Sequence, residues 1–204
     1  IFGSLFDRSG KSLSAPDIAA SDPPFSSRIC RSRGDELLRD YWGSYIGFLD
    51  CGDRFVVVRD PSASLPCFHA DQCGVTLVFS HLQDCRFIDR SAFTLNRDFI
   101  SKLVTSTRTM TELAWDPRDF AADVLLPDQK EAARRLAETS QMVVKAWASR
   151  FDRVDVSLSG GLDSAIVLAC LADAQRGRDV GAIHYRLESG DLSEESHAKS
   201  AAAL

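Results

Sequence analysis

The stretch between residues 154 and 187 constrains the fold most. Val154-Asp155-Val156-Ser157-Leu158 alternates apolar and polar residues as a half-buried strand does, Ser159 to Ser164 is a turn with two glycines, and Ala165 to Ala174 is apolar enough for a buried helix. Gly181 to Leu187 repeats a strand pattern, and another helix begins near Ser193. Two strands joined through a helix cannot form a hairpin; the crossover lays them side by side in parallel. This strand-helix-strand-helix order predicts the start of an α/β domain with a parallel sheet.

Upstream the pattern differs. Ile1 to Phe6 is β-like, Asp7 to Gly10 supplies a turn, and Ser14 to Ser27, rich in Ser, Pro and Asp, reads as a loop with little to pack. A short helical or coil stretch around Asp35 to Asp40 precedes three apolar runs, Tyr45 to Leu49, Arg54 to Arg59 and Thr76 to Ser80. Cys51-Gly52-Asp53 and a long Pro61 to Gly74 connection, itself containing Leu65 to His69, separate them, which predicts an antiparallel meander. Phe99, Ile100, Leu103 and Val104 recur at helical spacing behind Asn96, a suitable N-cap. The Thr105 to Pro127 stretch is expected to hold a domain junction. From Asp128 to Arg150 an amphipathic helix is predicted, with Ala132, Leu136, Thr139, Val143, Ala146 and Trp147 on one side. The expected division is residues 1–105, a linker over 106–127, and residues 128–204.

A chain of 204 residues with 45% hydrophobic and 26% charged residues has room for one large or two small domains, and disordered or collagen-like classes are excluded. The 24 Lys and Arg against 29 Asp and Glu leave a net charge of -5, so neither nucleic acid nor an anionic membrane is an expected partner. No apolar run nears the roughly 18 residues of a membrane span. Six cysteines, at 30, 51, 67, 73, 85 and 170, form no Cys-x-x-Cys pair, which predicts reduced thiols and a cytoplasmic location rather than a zinc knuckle or a disulfide framework. Opening at Ile1 without a methionine and closing at Leu204 inside an alanine-rich helical pattern, the sequence reads as a piece of a longer protein.

The turn Ser159-Gly160-Gly161-Leu162-Asp163-Ser164 carries the chemistry. At a strand-to-helix turn successive backbone N–H groups and the positive end of the helix dipole face outward together, an arrangement that suits an anion. Two glycines let the backbone approach phosphate oxygens, the Ser159 and Ser164 hydroxyls are expected as further donors, and Asp163 is expected to hold the magnesium that accompanies phosphates. The plainer alternative uses glycine for curvature and Ser and Asp as caps. The turn lacks the Gly-Lys-Ser/Thr ending of a Walker A loop and is not Gly-x-Gly-x-x-Gly. His69 with Cys73, His81 with Asp84 and Cys85, and His197 with Glu194 have metal-type neighbours, but no second histidine joins any of them and no metal site is expected there. Cys170 is expected to pack; Trp42, Trp115 and Trp147 are expected as core or interdomain anchors.

The hexad is similar to the pyrophosphate-binding loop of ATP pyrophosphatases, and Leu158 to Ser164 as a whole resembles the asparagine synthetase B superfamily. Ile1-Phe2-Gly3 with Leu5-Phe6-Asp7, Gly43 to Leu49, Arg59-Asp60-Pro61-Ser62 with Leu65-Pro66-Cys67-Phe68, and Val78-Phe79-Ser80 resemble that superfamily's N-terminal glutaminase-like domain, with Ala63 where the family commonly has glycine. In finer pattern the chain most resembles the lasso peptide macrolactam synthetases, through the Arg59 to Ser62 turn with Leu65-Pro66, Trp115-Asp116-Pro117, Ser149 to Val154 and Ile183-His184-Tyr185. The resemblance spans most of the chain; it is strongest from Phe151 to Ser164 and weakest from Lys11 to Asp35, and the Met110 to Trp115 segment is short.

The resemblance implies an α+β, N-terminal-nucleophile-like antiparallel β domain over 1–105, a degenerate class II glutamine amidotransferase, followed by the N-terminal part of an α/β PP-loop ATP pyrophosphatase domain over 128–204. It implies ATP and Mg2+ as cofactors, with residues 159 to 164 at the pyrophosphate end of ATP, Leu158 and Tyr185 flanking adenosine, and Asp163 at magnesium. The implied reaction adenylates a side-chain carboxylate of a precursor peptide, whose N-terminal amine then closes a macrolactam. A leader-peptide-binding protein and a protease are the implied pathway partners. Residues catalysing ring closure are expected beyond Leu204. Asn96 is the sole asparagine of the sequence, so the Asn-Gly-Glu segment that supplies the family's oxyanion donors is missing, and glutamine hydrolysis is not expected. Asparagine synthetase, β-lactam synthetase and an inactive remnant or binding module are the alternatives.

Overall fold

The Ser14-Ala-Pro-Asp17 sequence starts a helix where a loop was expected. Ser14 caps the helix and Asp17 reaches back to it, a reciprocal pair of bonds with proline placed where no N–H is needed. The Ser14 hydroxyl holds the Asp17 carboxyl down to about 2. The computed structural model describes residues 1–20, 24–105, 128–174, 179–185 and 192–203. The described elements are β1 (Phe2–Asp7), α1 (Ala15–Ala19), α2 (Phe25–Arg31), α3 (Asp35–Asp40), β2 (Tyr41–Asp50), β3 (Phe55–Arg59), β4 (Phe68–Gln72), β5 (Val75–Phe79), two 3-10 turns, α4 (Arg97–Thr105), α5 (Gln129–Ala148), β6 (Arg153–Ser157), α6 (Leu162–Ala174), β7 (Asp179–Ile183) and α7 (Leu192–Ala202).

The expected single meander is two separate antiparallel sheets. Strands β1, β2 and β3 form one in that order, with Gly3 opposite Tyr45 and Gly47 opposite Val58. The Thr76 to Ser80 run does not continue it; β5 pairs instead with β4. The long connection after β3 carries a strand of its own, and the nearer partner in sequence wins because the shorter loop costs less entropy to close.

Helices α2 and α3 cover one face of the first sheet. Leu5, Phe25, Ile29, Leu37, Tyr45, Leu49 and Val58 make its buried core. Phe25 belongs to the stretch expected to pack little, yet it is almost fully buried, as is Ile29 one turn on. Arg28 joins α2 to α3 and β2 by bonding Glu36 and the Tyr41 hydroxyl. The Tyr45 hydroxyl donates to the Leu37 carbonyl at 3.0 Å. After β3 the chain turns at Asp60, a carboxylate only 1% exposed that accepts from the Tyr45 N–H and the Ser62 hydroxyl. Ala63 takes the left-handed conformation that glycine would favour, with φ +53.

Asn96 caps α4 as expected, and Asp128 caps α5 by accepting from the Lys130 N–H. On α5 only the C-terminal half is covered: Ala146 and Ala148 are buried, whereas Leu136, expected on the packed side, is 69% exposed. The last elements follow the predicted crossover, β6 and β7 pairing in parallel through α6 with Ser157 opposite Ile183. Ala148, Val156, Leu158, Leu171 and Ala198 form their core.

The chain divides into two compact units, residues 1–65 with 128–204, and residues 66–127. This differs from the expected cut at 105. The Phe6 ring stacks on Trp42 and meets Trp147 of α5 edge-on at 5.0 Å, and Arg150 donates to the Ser12 hydroxyl. These long-range contacts place the first sheet and α5 in one unit, which no local pattern encodes. The expected linker at 106–127, with Trp115, lies outside the described residues. Among the described residues no helix is long and apolar enough to cross a membrane.

Candidate functional site

The site is built where β6 ends. Its ladder runs one residue past the strand: the Leu158 N–H donates to the Ile183 carbonyl at 2.8 Å, and the His184 ring bonds the Leu158 carbonyl at 2.7 Å through Nδ1, which must carry the proton because a carbonyl only accepts. The chain then reverses at Gly160, φ +86. A Cβ at Gly160 would stand 2.5 Å from the Glu194 carbonyl oxygen in the first turn of α7, so both the backbone angle and the space demand glycine. Gly161 differs: a Cβ there would meet the Ser159 hydroxyl at 3.3 Å and no other described residue within 4 Å.

Leu162, Asp163 and Ser164 are the first turn of α6 rather than part of the turn before it. The first N–H groups of a helix have no partner within it, and the helix dipole adds positive potential there. Leu162 and Asp163 are exposed, and the Asp163 carboxylate makes no hydrogen bond or ion pair to another described residue. Approach to the open side of Gly161 and to this first turn is the feature that fits a phosphate group. Beneath it the helix is anchored by Cys170 and Leu171, both buried, in agreement with a packing role for Cys170.

The two serines bond within the loop. The Ser164 hydroxyl donates to the Gly161 carbonyl at 3.1 Å and accepts from the Ser159 N–H, and the Ser159 hydroxyl accepts from the Gly161 N–H at 3.3 Å. They brace the loop against itself. No family model, curated protein or solved structure matches the chain.

Leu158 also departs from its expected role. Its side chain is 3% exposed, inside the core with Val156 and Leu171, and its two backbone groups are both engaged. It positions the loop and has no surface to offer adenosine. Tyr185 is 78% exposed just beyond β7, and the parallel register brings its position level with Ser159 at the carboxyl ends of the strands. Ligands of open α/β sheets bind at that edge.

Two residues important to this geometry, His184 and Glu194, were named from sequence only in other connections, His184 within the Ile183-His184-Tyr185 resemblance and Glu194 as a neighbour of His197. The parallel register would have placed His184 beside Leu158; nothing local marks Glu194, whose backbone meets Gly160 only in the folded chain. Among the described residues no three His, Cys, Asp or Glu side chains come together as a metal site. A magnesium ion held by Asp163 would draw its other ligands from phosphate oxygens and water, its usual mode with nucleotides.

Proposed function

We propose that this chain carries the nucleotide site of an ATP-dependent synthetase that adenylates a carboxylate and forms an amide bond, releasing AMP and pyrophosphate, with macrolactam closure of a lasso precursor peptide as its reaction. The observation that carries the reading is the exposed α6 N-terminus behind an open Gly161, set between two parallel strands, in a sequence that resembles the pyrophosphate loop of this superfamily. ATP, when bound, supplies the adenylyl group that makes a carboxylate oxygen a good leaving group.

The chain's own residues would bind and orient. The backbone N–H groups of Leu162 and Asp163 would bond phosphate oxygens, Asp163 would hold magnesium against them, and the Ser159–Ser164 brace would keep the loop in shape. Tyr185, exposed at the same edge, would cover the base. In this reading residues 1–105 derive from an N-terminal-nucleophile amidotransferase, and 128–204 begin a PP-loop pyrophosphatase domain. The precursor peptide is the partner, and a leader-peptide-binding protein and a protease belong to the same pathway.

Exchange of labelled pyrophosphate into ATP, measured on the full-length protein with magnesium and a linear precursor peptide, tests this. Exchange is expected with the peptide and lost in Gly161→Val, whose side chain would occupy the open approach. ATP binding without exchange would favour a binding module, and absence of both would overturn the reading.

A further inference from the structure

Away from this site, two thiols converge. Cys30 lies in the last turn of α2 and Cys51 immediately follows β2, and both pack at the edge of the first core. They line one open cavity of about 400 Å3 together with Arg31, Arg33, Arg54 and Asp53. The Cys30 thiol donates to the Asp50 carbonyl at 3.5 Å, which places it against the residue preceding Cys51. Asp53 is paired with Arg54 at 2.7 Å, so Arg31 and Arg33 give the rim its excess positive charge.

We propose that Cys30 and Cys51 are a redox modification site, oxidised to an intrachain disulfide by small anionic disulfides that the arginine rim attracts. Of the other four thiols, Cys67 is half-buried like the pair, Cys73 is exposed, and Cys85 and Cys170 are buried. All six are reduced in the structure.

The hydrogen bond to Cys30, with burial behind it, pushes the Cys51 thiol up to about 11, which makes Cys51 the member that keeps its proton. Attack therefore begins at Cys30. Its thiolate displaces one thiolate from the external disulfide and forms a mixed disulfide. Cys51 then loses its proton to solvent, attacks the Cys30 sulfur and expels the second thiolate. The protein gives up two electrons and two protons, and the external disulfide is reduced to two thiols.

The test treats the whole chain with glutathione disulfide, which is anionic, or with cystamine, which is cationic, then blocks remaining thiols and maps the digest by mass spectrometry. A Cys30–Cys51 linked peptide is expected, forming about tenfold faster with glutathione disulfide at low salt. High salt should shrink that preference, and Arg31→Gln with Arg33→Gln should remove it. Cys51→Ser should leave a glutathione adduct accumulating on Cys30. Equal rates with the two oxidants, both thiols blocked as free while Cys73 is modified, a bridge from Cys30 to any other cysteine, or no adduct on Cys30 in Cys51→Ser would each overturn the proposal.

Discussion

Two turns in this molecule use the same residue types for opposite ends. The Asp60 turn after β3 and the Asp163 turn after β6 each set an aspartate near serine and a left-handed residue. Asp60 is buried, and its carboxylate is consumed by Tyr45 and Ser62. Asp163 is exposed and its carboxylate bonds to no other described residue, because the loop's internal bonds are made by Ser159 and Ser164. A polar group enclosed by protein must find partners within it, whereas one left at a helix N-terminus stays available for a ligand. Asp60 is thus a structural residue and Asp163 the better candidate for chemistry, a distinction made by burial and not by residue type.

The sharpest way to break this contrast is to remove each aspartate. Asp163→Ala should lower pyrophosphate exchange by about two orders of magnitude or more in the full-length protein, through the lost metal contact. Its melting temperature should barely move. Retained exchange with a lowered melting temperature would make Asp163 a mere helix cap. Asp60→Ala should do the reverse, destabilising by about 1 to 3 kcal/mol because the buried Tyr45 N–H loses its acceptor, while the exposed Ser62 hydroxyl can turn to water. Urea denaturation of the two variants side by side is the check, and equal stabilities would erase the distinction.

The glycines sharpen it further. Gly160→Ala combines a positive φ with a carbonyl 2.5 Å from the new Cβ, and a loss of about 2 kcal/mol or more is expected; Gly161→Ala, with only a serine hydroxyl at 3.3 Å, should cost under about 1 kcal/mol. Similar losses for both would mean that Glu194 does not constrain the loop.

The smallest effect is on pH dependence near the Asp60 turn. Burial, and then the Asp60 charge, push the Tyr45 hydroxyl up to about 12 from an ordinary 10.0. Below pH 10 the tyrosine is protonated in folded and unfolded chains alike, so it adds no pH dependence there. Between about pH 10 and 12 the unfolded chain releases that proton while the folded chain keeps it, so stability falls as pH rises through this window. The alkaline fall in melting temperature should be shallower in Tyr45→Phe, which at neutral pH should cost only about 1 kcal/mol for the bond to Leu37. An identical alkaline profile in both proteins would remove Tyr45 as its source.

The local pattern alone specified β6, most of α6, the existence of β7, the Asn96 cap and the glycine turn between β6 and α6, because alternation, helical spacing and capping chemistry act over a few residues. The 14–27 stretch was misread because its Ser, Pro and Asp content suits a loop as well as a capping box. Only the tertiary structure decided that α5 shares a unit with the first sheet through Phe6 and Trp147, and that Leu158 faces the core. Each of these depends on which distant surface arrives to bury a side chain or satisfy a polar group, and that information is absent from any short window of sequence.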